Sequence, residues 1–185
     1  DSDYDVRFIY ARPLFDYTRI HPIRDVIDIE DGCIKSIKES CPELDFAGWD
    51  LIKALRLLFK SNPPLLEWLH SPFCYKADYT IAEHMALVSR SFFSMRSAMY
   101  HYYHMAEGNH RQYLKGDEVW TKKYLYVIRP ILACMFMHQG WRKREFASNS
   151  QILPPVNFER LMRKVEIKPI VRNQIVNLLA IKRSG

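Results

Sequence analysis

The first quarter of the chain alternates apolar and polar side chains in the way that is typical of β-strands. Between residues 3 and 11, Val6, Phe8 and Tyr10 fall on one face, and the positions between them fall on the other. Successive side chains of a strand point to opposite faces, so this spacing predicts a strand. Residues 23–29 are predicted to form either a second strand or an irregular loop, and residues 43–49 a third strand.

After Gly48 the apolar positions recur at helical spacing instead. Asp50 is placed to cap a first helix, Ser94 to cap a longer one, and Pro130 to kink the helix that contains it. The predicted helices cover residues 51–59, 65–70, 80–92, 95–114, 118–138, 156–165 and 169–181. Strands followed by helices indicate an α+β fold, with a small strand-rich core over residues 1–50 and a mainly helical subdomain over residues 51–185.

Composition excludes several classes of protein. Hydrophobic residues make up 48% of the 185 positions, which is enough to form a core and excludes an intrinsically disordered chain. The longest apolar run, Ile131–Met137, is far shorter than the roughly 20 residues that cross a bilayer, so no membrane partner is expected. The formal charge of +6 permits a polyanionic partner without identifying one.

The four cysteines are scattered and form no C-x-x-C pair. A chain of this length folds without disulfide staples, and the absence of a paired arrangement is typical of proteins in reducing compartments. The cysteine pattern therefore predicts a cytoplasmic protein.

Three acidic residues form the candidate site with the clearest chemistry. Asp3 and Asp5 lie two positions apart on a predicted strand, so their carboxylates share a face about 7 Å apart along the backbone. Asp45 lies on another predicted strand. Carboxylates that converge from two strands are what metal-dependent phosphoryl or nucleotidyl transfer requires. A solvated strand end is the competing interpretation of Asp3 and Asp5, and Asp25 and Asp28 are alternatives for the third carboxylate.

Several segments together resemble a known family. The first eight residues, DSDYDVRF, look like the second half of the nucleotidyltransferase signature of the polymerase-beta superfamily, in which a Gly-Ser turn precedes D-h-D on a strand. Across roughly residues 1–165 the chain is similar to the bacterial and phage family of predicted nucleotidyltransferases associated with RNA repair. The segments that carry this resemblance are GWDLIKAL (48–55), KSNP (60–63), LEWL (66–69), YHYYHMA (100–106) and KKYLYVIRP (122–130).

The resemblance implies an activity and a cofactor. Asp3 and Asp5 match the two superfamily residues that ligate magnesium, and Asp45 matches the third acidic residue that completes the site. The implied reaction moves a nucleoside monophosphate from a nucleoside triphosphate to an acceptor hydroxyl by a two-metal mechanism. The expected cofactor is Mg²⁺, two ions, with Mn²⁺ as a substitute, and an RNA 3′ end is the acceptor that the family association implies.

The Gly-Ser turn of that signature, which holds the triphosphate, would lie upstream of residue 1. We therefore expect the functional protein to be longer than 185 residues, with the turn in the missing part. Two alternatives stay open at this point: a catalytically inactive nucleotide- or nucleic-acid-binding module, and a nucleotidyltransferase that modifies a protein, of toxin–antitoxin type.

Six basic and polar residues are candidates for nucleotide binding. Lys60, Ser61 and Asn62 follow a predicted helix, where the lysine can reach a phosphate and the other two can hydrogen-bond a ribose. A helix stop before two prolines explains the same residues equally well.

The other three candidates lie on one predicted helix. Lys122 and Arg129 are seven positions apart and share a face, while Lys123 is offset, a spacing suited to a triphosphate. A solvated basic stripe is the competing interpretation. The resemblance implies a triphosphate contact here, since superfamily members often use lysine or arginine from the helical domain, and both interpretations stay open. Arg7 is predicted to pair with one of the carboxylates on its own strand face.

Overall fold

The computed structural model describes residues 4–28, 39–40, 44–116, 118–143 and 153–184. The chain divides into two compact units, residues 1–59 and residues 60–185. The division falls after Phe59, later than the sequence-based boundary after residue 50, because the helix that follows the last strand packs on the sheet. The assignment of separate functional domains stays a prediction.

The first unit contains a three-stranded sheet in the order β1-β3-β2. Strand β3 lies in the centre, parallel to β1 and antiparallel to β2. The described elements of this unit are β1 (Tyr4–Tyr10), α1 (Leu14–Tyr17), β2 (Val26–Asp28), β3 (Leu44–Asp50) and α2 (Leu51–Phe59).

The parallel pairing of β1 with β3 is the feature of the sheet that the sequence pattern did not predict. Parallel neighbours require a long crossover connection, and residues 11–43 supply it. Helix α1 lies in this connection and was also missed, since a helix of four residues is too short to show periodicity. The α+β class and the three strands are present, and the sheet is mixed.

The sheet is packed by helix α2 and by an aromatic ring of its own first strand. Phe8 and Gly48 are partners in the β1–β3 register, and the Phe8 ring lies directly over the glycine. Helix α2 packs against both strands and buries Ala54 and Leu58. Asp50 begins this helix as predicted, because its Oδ1 accepts a hydrogen bond from the backbone N–H of Ile52 at 2.9 Å.

Every described secondary-structure element of the second unit is a helix. Asn62, Asp78, Ser94 and Asn157 cap four of its helices through their side-chain oxygens, which accept hydrogen bonds from backbone N–H groups of the first turn. Its helices are α3 (Pro63–Leu69), α4 (Tyr79–Phe92), α5 (Met95–Tyr113), α6 (Thr121–Lys143), α7 (Phe158–Lys164) and α8 (Pro169–Ser184).

Helices α5 and α6 pack along each other and form the centre of this unit. Helix α6 runs five residues past its predicted end at 138 and buries Gly140 within it. No helix in the described part of the chain has the length and apolar character to cross a membrane. The core residues are Leu66, Phe93, Ala98, Tyr102, Leu132, Ala133, Met137, Leu161, Met162, Val165 and Ile175.

Candidate metal and nucleotide site

The register of the two parallel strands places two of the predicted carboxylates side by side. Asp5 on β1 is the direct partner of Asp45 on β3. Residues that pair across neighbouring strands point to the same face of the sheet, so both carboxylates lie on the face opposite to Phe8 and Gly48. Two residues far apart in the sequence therefore form one acidic pair on the sheet surface.

Arg7 joins the two carboxylates. Its Nη2 donates to Asp5 Oδ1 at 3.1 Å and to Asp45 Oδ2 at 2.7 Å. Its Nη1 donates to the backbone oxygens of Val6 at 3.2 Å and Asp45 at 3.1 Å. The prediction that Arg7 pairs with a carboxylate of its own strand face is confirmed, and the pairing extends to the neighbouring strand.

The carboxylates are more open to solvent than the guanidinium that joins them. The exposed fraction is 70% for the Asp5 side chain and 40% for Asp45, against 27% for Arg7. A single nitrogen atom of Arg7 thus donates hydrogen bonds to one oxygen from each of two carboxylates that face solvent. Oxygen donors that converge on one cationic atom are the donor set that Mg²⁺ and Mn²⁺ prefer.

The predicted site has a third member, Asp3. Asp3 lies outside the described residues, so its position relative to Asp5 and Asp45 stays a prediction. Within the described ranges, no three His, Cys, Asp or Glu side chains come together as a metal-binding group. Asp5 and Asp45 are the two predicted ligands that lie among the described residues, and metal binding by them and by Asp3 stays a prediction.

The two alternative acidic residues have other partners. Asp25 Oδ1 accepts from Lys53 Nζ at 2.9 Å, and Asp28 Oδ2 accepts from Arg24 Nη2 at 2.5 Å. Asp28 lies on β2 and is paired in register with Ala47 rather than with a carboxylate. This placement favours Asp45 as the acidic residue that faces Asp5.

Asp50 forms a second polar cluster at the far end of β3, which the sequence analysis assigned only to capping. Its side chain is 4% exposed. Its Oδ2 accepts a hydrogen bond from the hydroxyl of Tyr17 at 3.0 Å and lies 3.5 Å from Nε of Arg12. These partners come from a distant segment, so no local spacing in the sequence indicated them.

The three candidates at the junction of the two units differ in exposure. Lys60 is exposed, whereas Ser61 is fully buried at 0%. Ser61 has a positive φ of 52°, and its Oγ accepts a hydrogen bond from the backbone N–H of Ser94 at 2.8 Å. Asn62 accepts a hydrogen bond from the N–H of Leu65 as the cap of α3. Both side chains have structural roles here, and nucleotide binding by Lys60, Ser61 and Asn62 stays a prediction.

Lys122 and Lys123 lie in the first turn of α6 beside tyrosine rings. Lys123 Nζ is 3.9 Å from the ring centroid of Tyr113 and 5.5 Å from that of Tyr126, and Lys122 Nζ is 5.9 Å from Tyr126. These distances are within the range of cation–π attraction. Among the described residues neither lysine has a carboxylate partner, and phosphate binding by the two lysines stays a prediction.

Arg129 is held in a polar cluster inside the helical unit. Its Nη1 donates to Glu67 Oε1 at 2.7 Å and its Nη2 to the backbone oxygen of Val156 at 3.0 Å. The hydroxyl of Tyr102 donates to the same Glu67 oxygen at 2.8 Å. Burial, together with the Glu67 carboxylate, raises the pKa of Tyr102 well above its usual value of 10.0. These contacts give Arg129 a structural role, and its predicted contact with the triphosphate stays a prediction.

A protein of Bacillus subtilis (strain 168), described as the uncharacterized protein YcgL, is 40% identical to the chain over 185 residues. The match covers 100% of this chain and 64% of that protein, so the chain spans less than two thirds of its relative's length. No solved structure matches the chain.

The family comparison covers the whole chain. A family model described as the RNA repair pathway DNA polymerase beta family matches residues 1–185, which include the strand that carries Asp5, the strand that carries Asp45 and all the described helices. The resemblance inferred from the first strand and the helical segments is thereby confirmed, and the chain belongs to the RNA repair pathway DNA polymerase beta family.

Proposed function

We propose that this protein is a metal-dependent nucleotidyltransferase that transfers a nucleoside monophosphate from a nucleoside triphosphate to a hydroxyl at an RNA 3′ end. The observation that carries the proposal is the in-register Asp5–Asp45 pair, whose oxygens converge on one cationic atom of Arg7. Membership of the family supports the reaction class and the link to RNA repair.

The proposed residues divide the work of the reaction. Asp5 and Asp45, with Asp3, would hold the divalent cations. Such ions, when bound, neutralise phosphate charge and lower the pKa of an attacking hydroxyl. The solvent-facing side of Asp45 is the place that we assign to the acceptor. The acceptor oxygen forms a bond to the α-phosphorus, the bond between that phosphorus and the α–β bridging oxygen breaks, pyrophosphate leaves, and the hydroxyl proton passes to solvent.

A label-transfer assay tests this proposal. The protein is incubated with Mg²⁺, each nucleoside triphosphate labelled at the α-phosphate, and RNA with either a free or a chemically blocked 3′ end. We expect label on the free-ended RNA and none on the blocked RNA. Label on cellular protein instead would favour the protein-modifying alternative, and no transfer to any acceptor would favour the inactive binding module.

Variants of the acidic pair connect the activity to the site. Asp5→Asn and Asp45→Asn keep the side-chain volume and remove the charge, so each should lower transfer by at least about 100-fold, as the loss of a transition-state stabilising group does. Asp16→Asn is the control, because it removes a carboxylate from helix α1 of the same unit, where that carboxylate pairs with Arg19 rather than with the acidic pair. Equal transfer by the wild-type protein and by both pair variants would rule out the proposed site.

A further inference from the structure

Arg7 has the contacts of a resident cation at the Asp5–Asp45 pair. A single nitrogen, Nη2, lies within hydrogen-bond distance of one oxygen from each carboxylate, at 3.1 Å and 2.7 Å. The other terminal nitrogen is anchored to backbone oxygens of both strands. The guanidinium therefore binds the pair from a fixed position, and it neutralises part of the repulsion between two like charges on neighbouring strands.

A divalent cation at the same carboxylates would meet this positive charge a few ångströms away. The ion must either displace Arg7 from the oxygens that it occupies or bind the remaining oxygens beside it. Displacement breaks the ion pair of Arg7, and binding beside Arg7 makes two cations share the same two anions, so either arrangement opposes metal binding. Bound metal is therefore favoured when further negative charge arrives with it, and a nucleoside triphosphate carries such charge.

We propose that Arg7 is a positioning residue that holds the acidic pair together and lowers its affinity for a divalent cation in the absence of nucleotide. This inference rests on the proposed function, because it takes the Asp5–Asp45 pair as the metal site. If Arg7 lowers the affinity for the divalent cation, its removal should tighten metal binding. The loss of a purely structural arginine would not have this effect.

The test is a titration with Mn²⁺ alone, in which free Mn²⁺ is followed by electron paramagnetic resonance. Arg7→Gln removes the charge and should lower the Mn²⁺ dissociation constant by at least about tenfold, which corresponds to about 1.4 kcal/mol. Arg7→Lys retains the charge and should stay within about threefold of wild type. When a nucleoside triphosphate is present, the difference between Arg7→Gln and wild type should shrink.

The outcomes separate this inference from the proposed function. Unchanged or weaker Mn²⁺ binding by Arg7→Gln overturns the role of Arg7, even if Asp5→Asn and Asp45→Asn abolish nucleotidyl transfer. Equal tightening by Arg7→Gln and Arg7→Lys also overturns it, because charge is then not the cause. If wild type and Arg7→Gln both fail to bind Mn²⁺, both the metal site and the role of Arg7 are refuted.

A measurement on the wild-type protein covers the case in which Arg7→Gln does not fold. The side-chain Nε–Hε resonance of Arg7, assigned by nuclear magnetic resonance, should shift on addition of Mg²⁺ as the guanidinium loses or shares its carboxylate partners. Saturable movement of this resonance supports the inference. A resonance that stays unchanged while Mg²⁺ saturates the protein overturns it.

Discussion

Replacement of Gly48 by alanine tests the packing of the sheet that carries the acidic pair. A Cβ atom built on Gly48 would lie 2.2 Å from Cε2, 2.4 Å from Cζ and 2.7 Å from Cδ2 of the Phe8 ring. Ordinary contact begins at 3.4 Å, so the ring must move by about 1.2 Å. The backbone at Gly48 has no positive φ that would require glycine. The Phe8 ring instead occupies the space that a Cβ would need.

The expected cost follows from the nature of the conflict. The clashing atoms belong to a side chain that can rotate, so the protein adjusts by repacking rather than by separation of the strands. Overpacking of this kind lowers the free energy of unfolding by about 1–3 kcal/mol. Without the ring, alanine would be better than glycine in a strand by about 0.5–1 kcal/mol, so the sign of the effect distinguishes the two cases.

Urea denaturation followed by far-ultraviolet circular dichroism measures the change, and hydrogen exchange of the peptide that contains residues 44–50 localises it. Gly108→Ala is the matched control, because a Cβ there has nothing within 4 Å and the residue lies inside helix α5. This control should stabilise the protein by up to about 1 kcal/mol, the usual difference between glycine and alanine in a helix.

A double variant decides whether the Phe8 ring is the cause. Leucine lacks the Cε2 and Cζ atoms that clash, so Phe8→Leu combined with Gly48→Ala should cost at least about 1 kcal/mol less than the sum of the two single changes. A Gly48→Ala protein as stable as wild type, or strictly additive costs in the double variant, would refute this account of the sheet.

Three other predictions concern buried polar and sulfur groups. Burial and the Glu67 carboxylate raise the pKa of Tyr102, so the folded state favours the neutral phenol; its stabilising contribution should be present below pH 10 and lost above it. Tyr102→Phe should make unfolding in urea less sensitive to pH above 10 and cost about 1 kcal/mol at pH 7. Burial raises the pKa of Cys134 from 9.0 to about 11, so at pH 8 iodoacetamide, followed by mass spectrometry, should label exposed Cys74 about 100-fold faster. Asp50→Asn should lower the free energy of unfolding in urea by about 1–3 kcal/mol, because it removes a buried charge from its partners, and a smaller loss would count against the cluster.

Local features of the fold followed from the sequence. Residue types and spacing correctly indicated the caps at Asp50 and Ser94. They also indicated the helix that begins at the prolines after Asn62. The face assignment of the first strand also holds, since Phe8 and Tyr10 have neighbouring rings on one side while Arg7 contacts carboxylates on the other. These features depend on contacts within a few residues, which a single sequence records.

Features that depend on distant partners could not be predicted from the sequence. The sequence predicted that carboxylates from two strands meet, but the parallel register that pairs Asp5 with Asp45 depends on how a long crossover connection folds. No local spacing indicates that the Ser61 hydroxyl accepts a hydrogen bond from the N–H of Ser94, because the two residues lie on different segments. The contacts of Arg129 were hidden for the same reason.

The acidic pair itself is tested most directly by Mn²⁺ binding to wild type, Asp5→Asn, Asp45→Asn and the control Asp16→Asn, whose carboxylate pairs with Arg19 in α1. Binding is measured by electron paramagnetic resonance in the presence of a nucleoside triphosphate, and a protein-free nucleotide titration is subtracted. We predict that each change in the pair raises the Mn²⁺ dissociation constant by at least about tenfold, as the loss of a metal ligand does, while the control stays within about twofold of wild type. Equal Mn²⁺ affinity in all four proteins would contradict the assignment of Asp5 and Asp45 as the metal site.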